Sequence, residues 1–74
     1  MEERFKKLVA NYCEMKPEDM TNETRFMEDL NLSSLDFMSL LGEVEDEFEI
    51  DFDERETVKI VSIGEALEYI RRYV

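Results

Sequence analysis

Histidine and tryptophan are absent, and cysteine and proline occur once each. Without histidine the chain lacks the commonest general base and the commonest metal-binding side chain. That argues against autonomous hydrolytic or nucleophilic chemistry, and no enzyme constellation or metal site is expected. The lone Cys13 excludes an internal disulfide. Beside Tyr12, at the end of a helical pattern, it reads as a partly buried structural thiol. No apolar run is long enough to span a membrane. Met1-Glu2-Glu3-Arg4 opens an amphipathic stretch rather than a signal peptide, so a cytoplasmic location is expected. One proline and two glycines leave little punctuation; there are no repeats and no linker.

What is present is acid. The 74 residues, 43% hydrophobic and 39% charged, carry a net charge of −11. This is too apolar for a disordered acidic tail, and the length fits a single domain over 1–74. Such charge makes nucleic acid and anionic membranes poor partners. A basic protein surface is the natural one, met by a monomer. The acid is concentrated from Glu43 to Glu56, opposed there only by Arg55. Alone, such a run is a solvated face.

The hydrophobic spacing predicts an all-α chain: a small four-helix bundle of three longer helices and one short one. Phe5, Leu8, Val9 and Tyr12 mark a first helix over about 2–14. A long irregular stretch follows, about 15–32, with apolar anchors at Met20, Phe26, Leu30 and Leu32. A loop that long in so small a domain suggests function. Ser33-Ser34-Leu35-Asp36 fits a capping box, with Ser33 as N-cap and Ser34 as the first helical residue. Phe37, Leu40, Leu41, Val44 and Phe48 form the buried face of this second helix, and Leu35, Met38 and Gly42 a thin apolar stripe elsewhere on it. A short third helix is expected over 53–60, anchored by Val58 and Ile60. Ser62 caps a last helix, with Ile63, Ala66, Leu67, Ile70 and Val74 inward.

Ser34 stands out on physical grounds. A helix N-terminus offers free N–H groups and partial positive charge, a seat for phosphate. A serine placed there can carry a phosphodiester. A capping box by itself is only structural, and Ser34 has no base of its own. If Ser34 reacts, another enzyme must supply the base.

The stretch Phe26-Met27-Glu28-Asp29-Leu30-Asn31-Leu32-Ser33-Ser34-Leu35-Asp36 resembles the acyl carrier protein signature: an acidic residue and Leu, then Gly, a variable residue, and Asp-Ser-Leu-Asp. The likeness continues through Glu45-Asp46-Glu47-Phe48-Glu49-Ile50 and Ile63-Gly64-Glu65-Ala66-Leu67-Glu68-Tyr69-Ile70, and extends to Glu2–Val9 and Thr21-Asn22. The resemblance implies a carrier of acyl thioesters. Its 4′-phosphopantetheine would come from coenzyme A and be attached at Ser34 by a phosphopantetheinyl transferase using Mg²⁺. It also implies that acyl-processing enzymes dock through basic patches on Leu35, Asp36, Met38, Glu45, Asp46 and Glu47. In that family the core can open to sheath an acyl chain.

Three departures from the pattern matter. Ser33 stands where the family has Asp, keeping the cap but losing a charge. Asn31 replaces Gly, and Asn tolerates a left-handed turn. On the second helix Ser39 replaces Glu, and Gly42 replaces a bulky apolar residue. These changes suggest a specialised rather than housekeeping carrier of fatty acid or polyketide type. A peptidyl or aminoacyl carrier is the alternative within carriers. An unmodified acidic interaction module, with Asp51-x-Asp53 as a calcium hint, is the alternative from another class. Against calcium, Arg55 takes the next ligand position, no Gly follows, and Ser62 holds the twelfth.

Overall fold

The computed structural model describes residues 1–73; the inward position expected at Val74 lies outside the described residues. Helix α1 runs Glu2–Ala10, α2 Ser34–Phe48, α3 Glu54–Thr57 and α4 Ile63–Arg71, with a 3₁₀ turn at Pro17–Asp19. No strand forms among the described residues, where Arg25 and Ser62 make an isolated antiparallel bridge. No described helix is long and apolar enough to cross a membrane.

Helix α1 is shorter than its apolar spacing. The Asn11 and Tyr12 N–H groups turn back to the carbonyls of Leu8 and Val9, at 3.2 and 3.0 Å. This three-residue reach tightens the helix end. Tyr12 and Cys13 continue against the core as a turn, with Cys13 half-buried.

The loop before α2 is part of the core. Met20, Phe26, Leu30 and Leu32 are all buried, as their spacing among polar residues suggests. Phe26 stacks edge-on to Phe5, with ring centres 6.4 Å apart, and lies 5.1 Å from Phe37. It thus joins α1 to α2. Backbone bonds fix the loop to the start of α4: Phe26 N–H to Val61 O at 3.0 Å, Ile63 N–H to Thr24 O at 2.9 Å, and Gly64 N–H to Asn22 O at 2.9 Å. Only glycine fits at position 64. A Cβ there would lie 2.8 Å from Asn22 Cβ and 2.9 Å from its carbonyl oxygen, closer than real contacts allow.

Two capping boxes set the helix starts. Ser62 Oγ accepts the Glu65 N–H at 3.3 Å, and Glu65 Oε1 accepts the N–H groups of Ser62 and Val61 at 3.1 Å. The second box, at Ser33 and Asp36, belongs to the site below. Helix α2 buries Phe37, Leu40 and Val44, with Leu41 and Phe48 packed at the margin. They meet Phe5 and Val9 of α1 and Ile63, Ala66, Leu67 and Ile70 of α4.

Helix α3 corrects the expectation. It is one turn long, and Val58, expected as an anchor, is 77% exposed. Thr57 takes the inward place, its hydroxyl donating to Glu54 O at 3.0 Å. A single turn buries about one side chain, and Ile60 packs only at the edge of the core. Asp53 caps α3 and is also gripped by Arg55, whose guanidinium and then backbone N–H hold its carboxyl below the usual carboxylate range.

Candidate functional site

Asn31 enters the site with φ 57, the left-handed turn that its side chain tolerates. Leu32 is then buried before the N-cap and Phe37 after the first turn, both within the core. This is the arrangement of a hydrophobic staple. Between them Ser33 Oγ accepts the Asp36 N–H at 3.1 Å, and Asp36 Oδ2 accepts the Ser33 N–H at 3.3 Å. The Phe37 N–H bonds to Ser33 O at 2.9 Å.

Two donors of the first turn are left over. The N–H groups of Ser34 and Leu35 have no partner among the described residues. Ser34 is exposed, and its hydroxyl is likewise unengaged there. The two neighbouring serines thus have different tasks: Ser33 Oγ is occupied by the cap, and Ser34 Oγ faces solvent beside free donors. A phosphodiester fits this place, which supplies an attachment oxygen, two N–H groups and the positive end of a 15-residue helix.

A groove of about 560 Å³ opens beside Ser34. Ser34, Phe37, Met38, Leu41 and Glu45 of α2 form one side, and Phe52, Thr57, Val58 and Ile60 face them. Met27 and Val58, 52% and 77% exposed, lie on its walls. The sequence reading missed Met27 and took Val58 for core. The available signal was the brevity of the third apolar pattern, which could bury little.

The residues expected to meet partners are placed on three sides of α2. Leu35 and Met38 are 76% and 62% exposed. Asp36 is committed to the cap. Glu45 faces the α3 side, where its Oε2 accepts the Phe52 N–H at 2.9 Å. Glu47 faces α1, accepting from Arg4 Nε at 2.9 Å, and the same guanidinium lies 4.8 Å over the Phe48 ring. Asp46, between them, is exposed with no side-chain partner among the described residues. Burial and then the Glu43 carboxylate push the Tyr12 phenol, in the turn after α1, above its ordinary value. Asp51 and Asp53 do not assemble a calcium loop, since Asp53 is taken up by Arg55. Among the described residues no three His, Cys, Asp or Glu side chains converge as metal ligands.

Residues 3–70 match the family model described as the phosphopantetheine attachment site. A solved protein of Mycobacterium tuberculosis assigned as an acyl carrier protein has the same fold. Its TM-score is 0.90, with 23% identity over 99% of this chain and 97% of its own. An acyl carrier protein from Enterococcus faecalis is 28% identical with a TM-score of 0.82, over 93% of this chain and 87% of its own. A family match over nearly the whole chain, on a bundle of this form, means that the protein belongs to the phosphopantetheine-bearing acyl carrier family and is a carrier, not an enzyme.

Proposed function

We propose that Ser34 bears the 4′-phosphopantetheine arm and that the protein carries acyl intermediates in fatty acid or polyketide-type synthesis, as a specialised carrier. The observation that supports this most is the free Ser34 hydroxyl beside two free N–H groups at the start of α2. Ser34 Oγ forms the new P–O bond to the phosphopantetheine half of coenzyme A. The nucleotide half leaves, and the hydroxyl proton passes to a base of the transferase, since this chain has no histidine. Once attached, the arm supplies a terminal thiol that holds acyl groups as thioesters.

The chain's own residues do the rest. The Ser34 and Leu35 N–H groups hold the phosphodiester oxygens. The groove lined by Phe37, Met38, Leu41 and Phe52 offers the cargo an apolar resting place. Leu35, Met38 and Asp46 form an outward face for basic enzyme surfaces, which speeds encounter and makes it salt-sensitive. Glu45 and Glu47 contribute less to it, being engaged by Phe52 and Arg4. Ser39 and Gly42, which thin this face, support the specialised reading.

The test is intact mass after incubation with coenzyme A and a broad-specificity transferase. Wild type and Ser33→Ala gain one phosphopantetheine, and Ser34→Ala gains none. Loading of Ser34→Ala to the same extent would sink the assignment.

A further inference from the structure

Glu45 is a carboxylate set into the wall of a largely apolar groove. Ser34, Met38, Leu41 and Glu45 follow one another at four, three and four residues, so they share one line along α2. Glu45 ends this line, about 16 Å along the axis from Ser34. Among the other acids of α2, Glu43, Asp46 and Glu47 are exposed and Asp36 serves the cap. Glu45 is half-buried instead. A charge in an apolar wall is costly unless a partner satisfies it. Among the described residues its side chain has one such partner, the Phe52 N–H, which Oε2 accepts at 2.9 Å.

Phe52 lines the same groove from the opposite side. It belongs to the link between α2 and α3, which no regular structure supports. Glu45 grips this link twice: its backbone oxygen takes the Ile50 N–H at 3.0 Å, and its carboxylate takes the Phe52 N–H. The next N–H, of Asp53, goes to Tyr69 Oη at 3.1 Å, and Tyr69 does not line the groove. The single turn of α3 beyond is too short to hold Phe52 by itself. The wall that Phe52 provides is therefore as firm as its bond to Glu45.

We infer that Glu45 is a positioning residue for the cargo, acting through Phe52: its carboxylate latches Phe52 as the far wall of the groove and so keeps water from the thioester-bound chain. The inference rests on the groove as the cargo's resting place. An apolar chain lying there expels water from around the latch. A charge-assisted hydrogen bond strengthens as its surroundings dry. The coupling is reciprocal, so the tighter latch holds the cargo in turn. Without the carboxylate, the Phe52 N–H takes water as its partner, and that water enters the groove. Glu45 thus works inward, toward the cargo.

The experiment installs an octanoyl arm from octanoyl-coenzyme A with a broad-specificity transferase. Hydroxylamine, which needs no docking surface, then cleaves the thioester, giving the hydroxamate and the free thiol of the arm. In wild type, cleavage is slower than in octanoyl-pantetheine free in solution. In Glu45→Ala it is about tenfold faster than in wild type, the scale of one hydrogen bond to a charged group. Glu45→Gln keeps a carbonyl acceptor at the same length and stays near wild type. Tyr69→Phe removes the acceptor for the neighbouring Asp53 N–H, leaves the groove lining intact, and also stays near wild type. All are compared below the melting temperature of the least stable. In wild type alone, the Phe52 amide exchanges with deuterium more slowly with octanoyl on the arm than without it. A wild-type cleavage rate in Glu45→Ala overturns the latch. So does equal acceleration in Tyr69→Phe, which is general loosening, or in Glu45→Gln, which is loss of charge. Phe52 exchange indifferent to octanoyl overturns it without any variant. Wild type cleaved as fast as octanoyl-pantetheine overturns the groove as resting place, and wild type that takes up no octanoyl arm overturns the Ser34 assignment; the latch falls with either.

Discussion

Glu49 ends α2 with φ 54 and ψ 51, a left-handed conformation usually left to glycine. The geometry is held from outside the residue. The Ile50 N–H bonds to Glu45 O at 3.0 Å, and Ile50 packs on the edge of the core. A side chain in this region costs about 1–2 kcal/mol. Glu49→Gly should therefore stabilise the protein by roughly 1 kcal/mol, seen as a higher urea midpoint at unchanged slope. An equal or lower midpoint would contradict the strain. The left-handed turn at Asn31 is the counterpart that sequence does disclose, because asparagine is one of the few residues that favour it. Nothing in Phe48-Glu49-Ile50 marks the other.

At the scale of elements, α3 is weakly built and depends on its neighbours. One turn holds few backbone bonds of its own. Its approach is fixed by two side chains from longer helices: Glu45 of α2 takes the Phe52 N–H, and Tyr69 Oη of α4 accepts the Asp53 N–H at 3.1 Å. Phe52 packs 5.2 Å from the Tyr69 ring. Burial, then the Tyr73 hydroxyl 3.0 Å away, push Tyr69 up to about 12. The unfolded chain releases this proton near pH 10, so the fold holds it more tightly. The stability tied to neutral Tyr69 is complete below pH 10 and is lost as pH rises through about 12. Unfolding free energy against pH should fall across that interval. Tyr69→Phe, which cannot ionise, should start lower, having lost the acceptor for Asp53, and fall less steeply. Equal slopes in the two proteins would exclude Tyr69 as the source.

For the whole molecule, charge and size act together. The described fold measures 27 × 23 × 19 Å and belongs to a chain with 20 acidic residues against 9 basic ones. At 0.01 M salt the screening length is about 30 Å, so every carboxylate repels every other; at 0.1 M it is about 10 Å, and only neighbours do. The melting temperature should rise with sodium chloride across this range. The exposed Arg4–Glu47 pair does not reverse the trend, since surface pairs contribute at most about 1 kcal/mol. A melting temperature that fell with salt would show that ion pairs outweigh repulsion.

The sequence by itself determined the helical class, the two capping boxes, the inward face of α2 and the place of Ser34 as the first residue of that helix. Each follows from spacing or from a side chain bonding within one turn, so local physics suffices. It also gave the acid, but not its use. Tertiary structure alone decided that Glu45 faces Phe52, that Glu47 faces Arg4 and that Asp46 is left open. These differences depend on what the neighbouring elements bring, over separations of up to 43 residues. The same holds for Val58, apolar in sequence but turned outward because one turn of helix cannot bury it. It holds for the two glycines, alike on paper, of which one is pressed against Asn22 and the other faces open space.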